Sequence, residues 1–552
     1  MANLLRFPTL RTPAIATLRL AAIVLVASLT LACAHGTGRA SAPGASSVEA
    51  TPPGGHPRLV VMLVIDQLRE PYLERFGPAF TGGLRRLLDQ GRFYTRATHD
   101  HSATETAVGH ASLATGVYPM RHGIVGNEWS ERTDKGWASV SNVYDPNESV
   151  VGFPALRGAS PRRQLAPSIA DWVAAADPRA IVASVSGKDR GAIRPAGLAR
   201  GNVFWFDTLA ARFVTSTYYR RDYPEWAETF TRTVMPRFAR DSVWESHTPA
   251  SAFPLVTEDS EPWERDGVHT TFPHRFVDEE KPGRFWQWFL FSPKLDLATL
   301  EYAKAMTDGL SLGRDDVTDF LNVSLSATDL IGHTYGPLSR EQLDNLLSVD
   351  RALGDFFTFL DARVGKGEWV VALSADHGSL LAPETLPQPG ESPTGRRATA
   401  ADYAGLRMAF DSAAYGANDP ANAAHLAALL KTLPFVANAI PYTALAAASP
   451  ADSFAVLSRH SYFPGRVTGF FGRYGVDTRF VEGWLPMERG TSHGTPYWFD
   501  RHVPMIFMGP GVVPGRDSTR VATVDFAPTL ARMASIRVPE GLDGRVLRVG
   551  GR

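Results

Sequence analysis

Short, almost continuous apolar runs recur along this chain, and they restrict its fold more than any other feature. The first run covers residues 58–65 and ends at Asp66, and similar runs cover residues 181–185, 320–325, 369–373 and 503–508. Such runs are typical of strands that are buried on both faces of a parallel sheet. Amphipathic stretches lie between them, at residues 82–90, 167–175 and 340–359. The alternation predicts an α/β fold with a mostly parallel central sheet flanked by helices.

Two long segments interrupt this alternation. Residues from about 200 to 315 are rich in Trp, Phe, Pro and Arg, and residues from about 380 to 490 are rich in Ala, Gly and Pro. Long excursions from α/β sheets usually emerge as loops that carry function. We therefore interpret both segments as insertions that cap the site of one catalytic domain at residues 56–552. The alternative is that one of them forms a separate small domain.

The N-terminus predicts export from the cytoplasm. Three arginines, the last at position 19, precede an apolar run at residues 20–32, and small residues follow the run. This order is that of a secretory signal peptide, which we place at residues 1–34 and which a flexible linker follows at residues 35–55. The apolar run is shorter than the roughly 20 residues of a transmembrane helix, and a retained membrane anchor is the alternative.

Cys33 is the single cysteine, so the chain has no internal disulfide. Ala32 and Ala34 around it fit a small-residue cleavage site, which would release a soluble periplasmic protein. A loose lipoprotein signal is equally compatible, and it would make Cys33 a lipidated first residue at the cell envelope. The net charge of −1 gives no electrostatic reason for a nucleic-acid partner. We expect a monomer that acts on small molecules and touches a membrane only through a lipid at Cys33.

Acidic residues directly follow three of the predicted strands. Asp66 ends the first apolar run, Asp329 follows the run at 320–325, and Asp376 follows the run at 369–373. In open α/β sheets, ligands bind just beyond the carboxyl ends of the strands. The three carboxylates therefore indicate one shared site.

Histidines accompany two of these aspartates. His333 lies four residues after Asp329, a spacing that places both side chains on one face of a helix and suits a single metal ion. His377 directly follows Asp376, which suits a loop around an ion. His493 lies in a further loop that could fold back to complete a site. Mixed Asp and His ligands favour zinc over calcium or magnesium.

Residues 104–116 contain a candidate nucleophile. They read as a loop that enters a short helix, which Gly116 ends. The Thr106 hydroxyl would then lie at a helix N-terminus, where backbone N–H groups favour an anion such as phosphate. A threonine is a poor nucleophile until a metal or a base takes its proton. The alternative is that Thr106 is an ordinary N-cap.

Together these residues resemble the alkaline phosphatase superfamily from about residue 58 to 545. The motifs that carry the resemblance are Asp66, Thr106 in Thr-Ala-Val-Gly-His, Asn127 in Ile-Val-Gly-Asn-Glu-Trp, Asp329 with His333, Asp376 with His377, and His493. The sequence Ser-Gly-Lys-Asp-Arg-Gly-Ala-Ile from residue 186 narrows the resemblance to the phosphothreonine-type bacterial alkaline phosphatases. These are relatives of the nucleotide pyrophosphatase/phosphodiesterases.

The resemblance implies a phosphate monoester hydrolase with two Zn2+ ions and a covalent phosphothreonine intermediate at Thr106. One zinc would be held by Asp66, Thr106, Asp376 and His377, and the other by Asp329, His333 and His493. The phosphoryl oxygens would be bound by Asn127, Lys188 and Arg190. Lys188 and Arg190 favour monoesters, because a diester carries an organic group where this pair expects a charged oxygen.

Three other functions are alternatives to this one. A phosphodiesterase or nucleotide pyrophosphatase would use the same metals and the same Thr106. A sulfatase is disfavoured, because the C/S-x-P-x-R context of its modified residue is missing around Thr106. A non-catalytic envelope protein that only inherits the fold is disfavoured, because every expected ligand is present.

Overall fold

The computed structural model describes residues 56–264, 269–276, 284–388, 394–413, 420–469 and 471–550. The predicted signal peptide at 1–34, the linker at 35–55 and Cys33 lie outside the described residues. Among the residues described, no helix combines the length and the apolar character needed to cross a membrane.

A nine-stranded sheet forms the centre of the fold. In chain order its strands are Leu59–Ile65 (β1), Arg92–Thr98 (β2), Val182–Ser186 (β3), Asn202–Asp207 (β4), Arg212–Val214 (β5), Asp319–Leu325 (β6), Trp369–Ser374 (β7), His502–Met508 (β8) and Gly515–Ala522 (β9). In space they follow the order β9-β2-β8-β7-β1-β6-β3-β4-β5. β1, β3, β4, β6 and β7 run parallel to one another, and β9 runs parallel to β2. The predicted mostly parallel sheet is therefore confirmed.

The central strand β1 is buried on both faces, as its apolar run requires. Leu59, Val61, Leu63 and Ile65 belong to one apolar cluster, which includes residues of the helices Gly83–Gln90, Lys294–Gly309 and Arg340–Leu360. Val60, Met62 and Val64 belong to a second cluster, with residues of the helices Ile169–Ala176, Asp189–Ala196 and Phe526–Met533. Because successive strand residues point to opposite faces, helices cover both sides of the sheet.

Further helices connect the strands and build the excursions. They cover Glu70–Arg75, Thr106–Thr115, Pro119–His122, Glu225–Thr233, Met235–Arg240, Phe285–Leu290, Ala327–Tyr335, Ala400–Ser412, Pro420–Leu430, Tyr442–Leu445, Ser453–Ser461 and Trp498–Arg501. Short strands pair outside the main sheet, at Glu128–Thr133, Gly136–Ser141, Tyr144–Val150, Phe153–Ala159, Val243–Trp244, His274–Arg275, Arg396–Arg397, Val436–Pro441, Arg466–Val467, Val476–Phe480 and Trp484–Leu485. The second excursion has its own apolar cluster, which is built on Leu406, Leu430, Phe435 and Trp484.

The apolar runs became strands with ends within one or two residues of the prediction, but two features differ. β8 runs antiparallel to both β7 and β2, because an apolar run records burial and not strand direction. The sheet also continues through β4 and β5 to Val214, so these residues of the stretch predicted as an insertion belong to the sheet. The remaining bounds of the insertions stay a prediction.

Candidate active site

The carboxyl ends of four neighbouring parallel strands lie side by side. Ile65 of β1 is opposite Leu325 of β6, and Val64 is opposite Ser374 of β7. Ser186 of β3 is opposite Ser324 of β6. The chain therefore delivers the residues that follow these strands to a single edge of the sheet, and they are Asp66, Lys188, Asp329, Asp376 and His377.

Asp329, His333 and His493 form a compact group of possible metal ligands. Asp329 and His333 lie on one face of the helix Ala327–Tyr335, and His333 Nε2 is 3.2 Å from Asp329 Oδ1. His493 Nε2 approaches the same oxygen at 3.5 Å. His333 Nδ1 bonds the carbonyl of Thr491 at 2.8 Å, and His493 Nδ1 bonds that of Thr104 at 2.6 Å. A ligand histidine is usually fixed in this way, with one ring nitrogen held by a carbonyl and the other left for the metal.

A second group contains Asp66, Asp329 and His377, whose donor atoms lie within 4.8 Å of one another. His377 Nε2 is 3.5 Å from Asp66 Oδ1, and Asp66 Oδ1 is buried without a hydrogen-bond partner among the described residues. An unpaired buried carboxylate oxygen beside an imidazole nitrogen fits a cation site. The donor set thus fits metal binding, with ligands of the kind that zinc prefers.

The two donor groups differ from the predicted ligand sets at Asp329 and at Asp376, which belongs to neither group. Asp329, which was assigned to one metal only, belongs to both groups of donor atoms. Asp376 is 3.5 Å from His377 Nε2 through Oδ2, while its Oδ1 accepts a hydrogen bond from the backbone N–H of Gln67 at 3.1 Å. The reason is geometric, since the Asp329 carboxylate lies between the histidines of the two groups.

Thr106 is the first residue of the helix Thr106–Thr115, which ends at Gly116 in the left-handed conformation. The N-cap is Glu105, so the alternative that Thr106 is an ordinary N-cap is wrong. Its side chain is 1% exposed, and Oγ1 lies 3.5 Å from His377 Nε2. The hydroxyl therefore faces the second group of ligands from the N-terminal end of a helix, where an anion is favoured.

Asn127 is fixed against the start of the Thr106 helix. Its Oδ1 accepts a hydrogen bond from the N–H of Ala107 at 2.9 Å, and its own backbone N–H donates to Glu105 Oε2 at 2.7 Å. Because the amide oxygen is engaged by Ala107, the amide nitrogen is the group that remains to donate to a ligand.

The Lys188 ammonium lies between two carboxylates of the candidate metal groups. Nζ is 2.7 Å from Asp66 Oδ2 and 2.5 Å from Asp329 Oδ2. Burial lowers the pKa of Lys188, but Asp329 and Asp66 outweigh it, so the pKa is raised and the ammonium keeps its charge. Arg190 is half-buried on the helix Asp189–Ala196, and its charge partly opposes the raised pKa of Lys188 and that of Glu105, which burial raises. Both cations thus act on the electrostatics of the site.

The pKa values of the side chains in the site reflect burial and the closeness of several carboxylates. Burial and the neighbouring Asp376 raise the pKa of Asp66 well above its usual value. Burial would raise the pKa of Asp329 as well, but His333 and Lys188 outweigh it and the pKa is lowered. Burial lowers the pKa of His493 well below its usual value, so its imidazole is neutral and able to ligate a metal.

Two further residues lie beside the site, and neither was assigned a functional role from the sequence. Gln67 donates from Nε2 to Asp329 Oδ1 at 2.6 Å and from its backbone to Asp376. His110 Nδ1 is 2.9 Å from the carbonyl of Thr106 and 3.2 Å from Asp376 Oδ2. The only signal in the sequence was that each lies in a motif that already contained a candidate residue.

Comparison with known proteins places this geometry in context. Residues 60–467 match the family model described as type I phosphodiesterase/nucleotide pyrophosphatase. Alkaline phosphatase PhoV of Synechococcus elongatus is 32% identical over 89% of this chain and 92% of its own length. Alkaline phosphatase PafA of Elizabethkingia meningoseptica is 32% identical over 91% of this chain and 95% of its own. The crystal structure of PafA superposes with a TM-score of 0.81 at 29% identity, over 91% of this chain and 100% of the solved chain.

Proposed function

The chain belongs to the type I phosphodiesterase/nucleotide pyrophosphatase family and is an alkaline phosphatase, and on that premise we propose that it hydrolyses phosphate monoesters through a phosphothreonine at Thr106, beside two zinc ions. The donor groups around Asp329 support the metals, and the helix N-terminus at Thr106 supports the nucleophile. The substrate class would be small phosphomonoesters.

The residues that would hold the two ions are those predicted from the resemblance. Asp329, His333 and His493 would hold one, and the other would be held by Asp66, Asp376, His377 and the Thr106 oxygen. When bound, two such ions lower the pKa of a hydroxyl nucleophile and neutralise charge on the leaving oxygen. Because the histidines are held by backbone carbonyls, the chain presents these ligands in place before a substrate arrives.

The position of Lys188 is the observation that carries the preference for monoesters. Its ammonium contacts Asp66 and Asp329 directly, so its charge lies inside the candidate metal site rather than in solvent. A monoester dianion has one more charged oxygen than a diester, and Lys188, the Arg190 fork and the Asn127 amide would bind its non-bridging oxygens.

A solved variant of PafA supports the roles that we propose for Thr106, Asn127, Lys188 and Arg190. In that variant one threonine, one asparagine, one lysine and one arginine are substituted. These are the residue types of Thr106, Asn127, Lys188 and Arg190, in the same chain order.

The reaction would proceed in two displacements at phosphorus. The Thr106 hydroxyl releases its proton to solvent, and Oγ1 forms a bond to phosphorus while the bond to the ester oxygen breaks. The leaving alkoxide takes up a proton from water to become the alcohol. Water then attacks the phosphothreonine, its proton returns the Thr106 hydroxyl, and inorganic phosphate leaves. Positioning and charge neutralisation provide most of the catalysis in such transfers, and both fall to the residues around Thr106.

Acid-quenched labelling with a radioactive phosphomonoester tests the nucleophile. We expect label on the wild type and on Thr106→Ser, and none on Thr106→Ala, whose metal content should equal that of the wild type. Thr115→Ala is the matched control, because this hydroxyl bonds the Ala111 carbonyl at the far end of the same helix. Wild-type labelling of Thr106→Ala would refute the nucleophile.

A phosphodiesterase with the same metals is the second candidate, and the family model that matches this chain favours keeping it in view. The two functions differ in kcat/KM on a matched aryl phosphate monoester and diester. A diester preference by the zinc-loaded protein would retain Thr106 and the metals and move the function to that class.

The location of the protein is also a proposal. The predicted signal peptide supports export to the periplasm or cell envelope, as a soluble monomer or with a lipid at Cys33. The mass of the mature N-terminal peptide tests this, since a lipid-modified cysteine and an unmodified residue near position 35 differ in both mass and sequence.

A further inference from the structure

Gln67 occupies a backbone conformation that its residue type disfavours. Its φ is 64°, in the left-handed region, and its side chain is fully buried. Residues with a Cβ seldom adopt this conformation, and glycine is the usual choice. A buried glutamine at such a position persists only where other interactions compensate, and strained residues of this kind cluster at functional sites.

The contacts of Gln67 reach two carboxylates that are proposed to ligate different metal ions. Its Nε2 donates to Asp329 Oδ1 at 2.6 Å, and its backbone N–H donates to Asp376 Oδ1 at 3.1 Å. Asp329 follows β6 and Asp376 follows β7, while Gln67 follows β1 between them. One residue thus restrains carboxylates from both flanking strands.

The surrounding chain leaves room for this side chain. A Cβ on Gly332 would lie 2.1 Å from Gln67 Oε1, so any larger residue there would displace the amide. Gly332 directly precedes His333 on the helix that carries Asp329. The helix that carries Asp329 and His333 can therefore approach the Gln67 amide this closely only with glycine at position 332.

We propose that Gln67 is a positioning residue for both metal ions, and that its left-handed backbone serves to aim one amide and one N–H at the two ligand carboxylates. The inference rests on the proposed two-metal function. A neutral amide suits the task, because it orients a carboxylate without contributing a charge that would compete with a metal ion. A glutamate would repel Asp329, and a shorter side chain would leave its Oδ1 without this donor.

The test measures zinc retention and thermal stability of the full chain. Glycine relieves the backbone but removes a buried side chain, so metal-free Gln67→Gly should lose less Tm than Gln164→Gly, where the loss of a buried side chain is not offset by a relieved positive φ. Its zinc affinity, measured by competition with a chromogenic chelator, should fall about 10- to 100-fold, as for other residues that orient ligands. Gln67→Glu should lose zinc affinity to a similar extent.

Two controls separate this role from a structural one. Ser311 also has a positive φ, of 56°, and is exposed, so Ser311→Gly should relieve the backbone and leave zinc affinity unchanged. Gln164 is buried and donates to the Ala166 carbonyl, so Gln164→Gly should lower Tm without affecting zinc. Zinc affinity of Gln67→Gly within twofold of the wild type would overturn the inference, as would a Tm loss of its metal-free form as large as that of Gln164→Gly. If the wild type itself bound no zinc, the proposed function would fail instead.

Discussion

Gly109→Ala tests how closely the helix that begins at Thr106 must pack on the loop that carries Asp376 and His377. Gly109 lies on the helix Thr106–Thr115, and a Cβ there would be 1.9 Å from the carbonyl oxygen of Asp376. Ordinary contact begins near 3.4 Å, so helix and loop would have to separate by about 1.5 Å. Thr106 and His377 lie on opposite sides of this contact, with Oγ1 and Nε2 3.5 Å apart.

We expect kcat/KM of Gly109→Ala on an aryl phosphate to fall at least about 10²-fold, since a misplacement of about 1 Å can cost that much. Overpacking should also destabilise the fold by about 1–3 kcal/mol, seen as a lower Tm. Assays are to be made at a temperature where circular dichroism shows the variant folded.

Gly405→Ala is the matched control for this substitution. It also lies within a helix, Ala400–Ser412, but the nearest atom to its Cβ would be Leu433 Cδ2 at 3.2 Å, at the end of a flexible side chain. Its kcat/KM should stay within about twofold of the wild type, and its helix should gain up to about 1 kcal/mol. Wild-type kcat/KM in Gly109→Ala would refute the argument that this contact sets the position of Thr106.

Four further outcomes follow from the structure. Lys188→Ala and Arg190→Ala should each lower kcat/KM about 10²-fold or more on a monoester and much less on a diester, because in the proposed function both would bind the extra charged oxygen; equal losses would contradict this. Asp350→Ala should destabilise the chain by about 2–4 kcal/mol, measured by urea unfolding, because its carboxylate accepts four backbone N–H groups at the start of the helix Gly83–Gln90; an unchanged midpoint would exclude this capping role. Burial raises the pKa of Asp500 to about 7, so the contribution of its protonated carboxyl to the free energy of unfolding is fully present below about pH 4. That free energy should fall by a few kcal/mol as the pH rises to 7. The fall should be smaller in Asp500→Asn, and an identical pH dependence of the variant and the wild type would count against the assignment to Asp500. Chelation should abolish activity and lower Tm, and added zinc should restore both; activity that survives exhaustive chelation would refute metal dependence.

The sequence predicts most of the strands that are buried on both faces and misses the edge strand and the strand of mixed burial. The four central residues of β4 are also buried, and this strand was missed because it lies in the stretch predicted as an insertion. β1, β6 and β7 are wholly buried and were predicted from their apolar runs. β9 lies at the edge of the sheet and has half of its residues exposed and one buried, and β2 mixes buried and exposed positions. An edge strand needs few apolar residues, so its sequence resembles a loop until a neighbour pairs with it.

The same contrast holds within the candidate site. Asp329 with His333 and Asp376 with His377 are local patterns, which the chain displays without any tertiary information. The contacts of Gln67 join residues 262 and 309 positions apart, and no local spacing indicates them. Asp329 lies in both ligand groups because three strands and a loop converge there, and a linear pattern could assign it to only one.

In the proposed two-metal site, the number of buried charges would favour a dianionic substrate. Asp66, Asp329 and Asp376 are each at most 3% exposed, and the ammonium of Lys188 contacts only the first two. Buried carboxylates in such excess over cations are costly, so the arrangement is favourable only with further positive charge. Two divalent ions would more than balance the three carboxylates and, with Lys188 and Arg190, leave a desolvated pocket of net positive charge. A dianion neutralises that pocket better than a monoanion does, so the preference for monoesters over diesters follows from the charge of the site and does not require a particular shape of the leaving group.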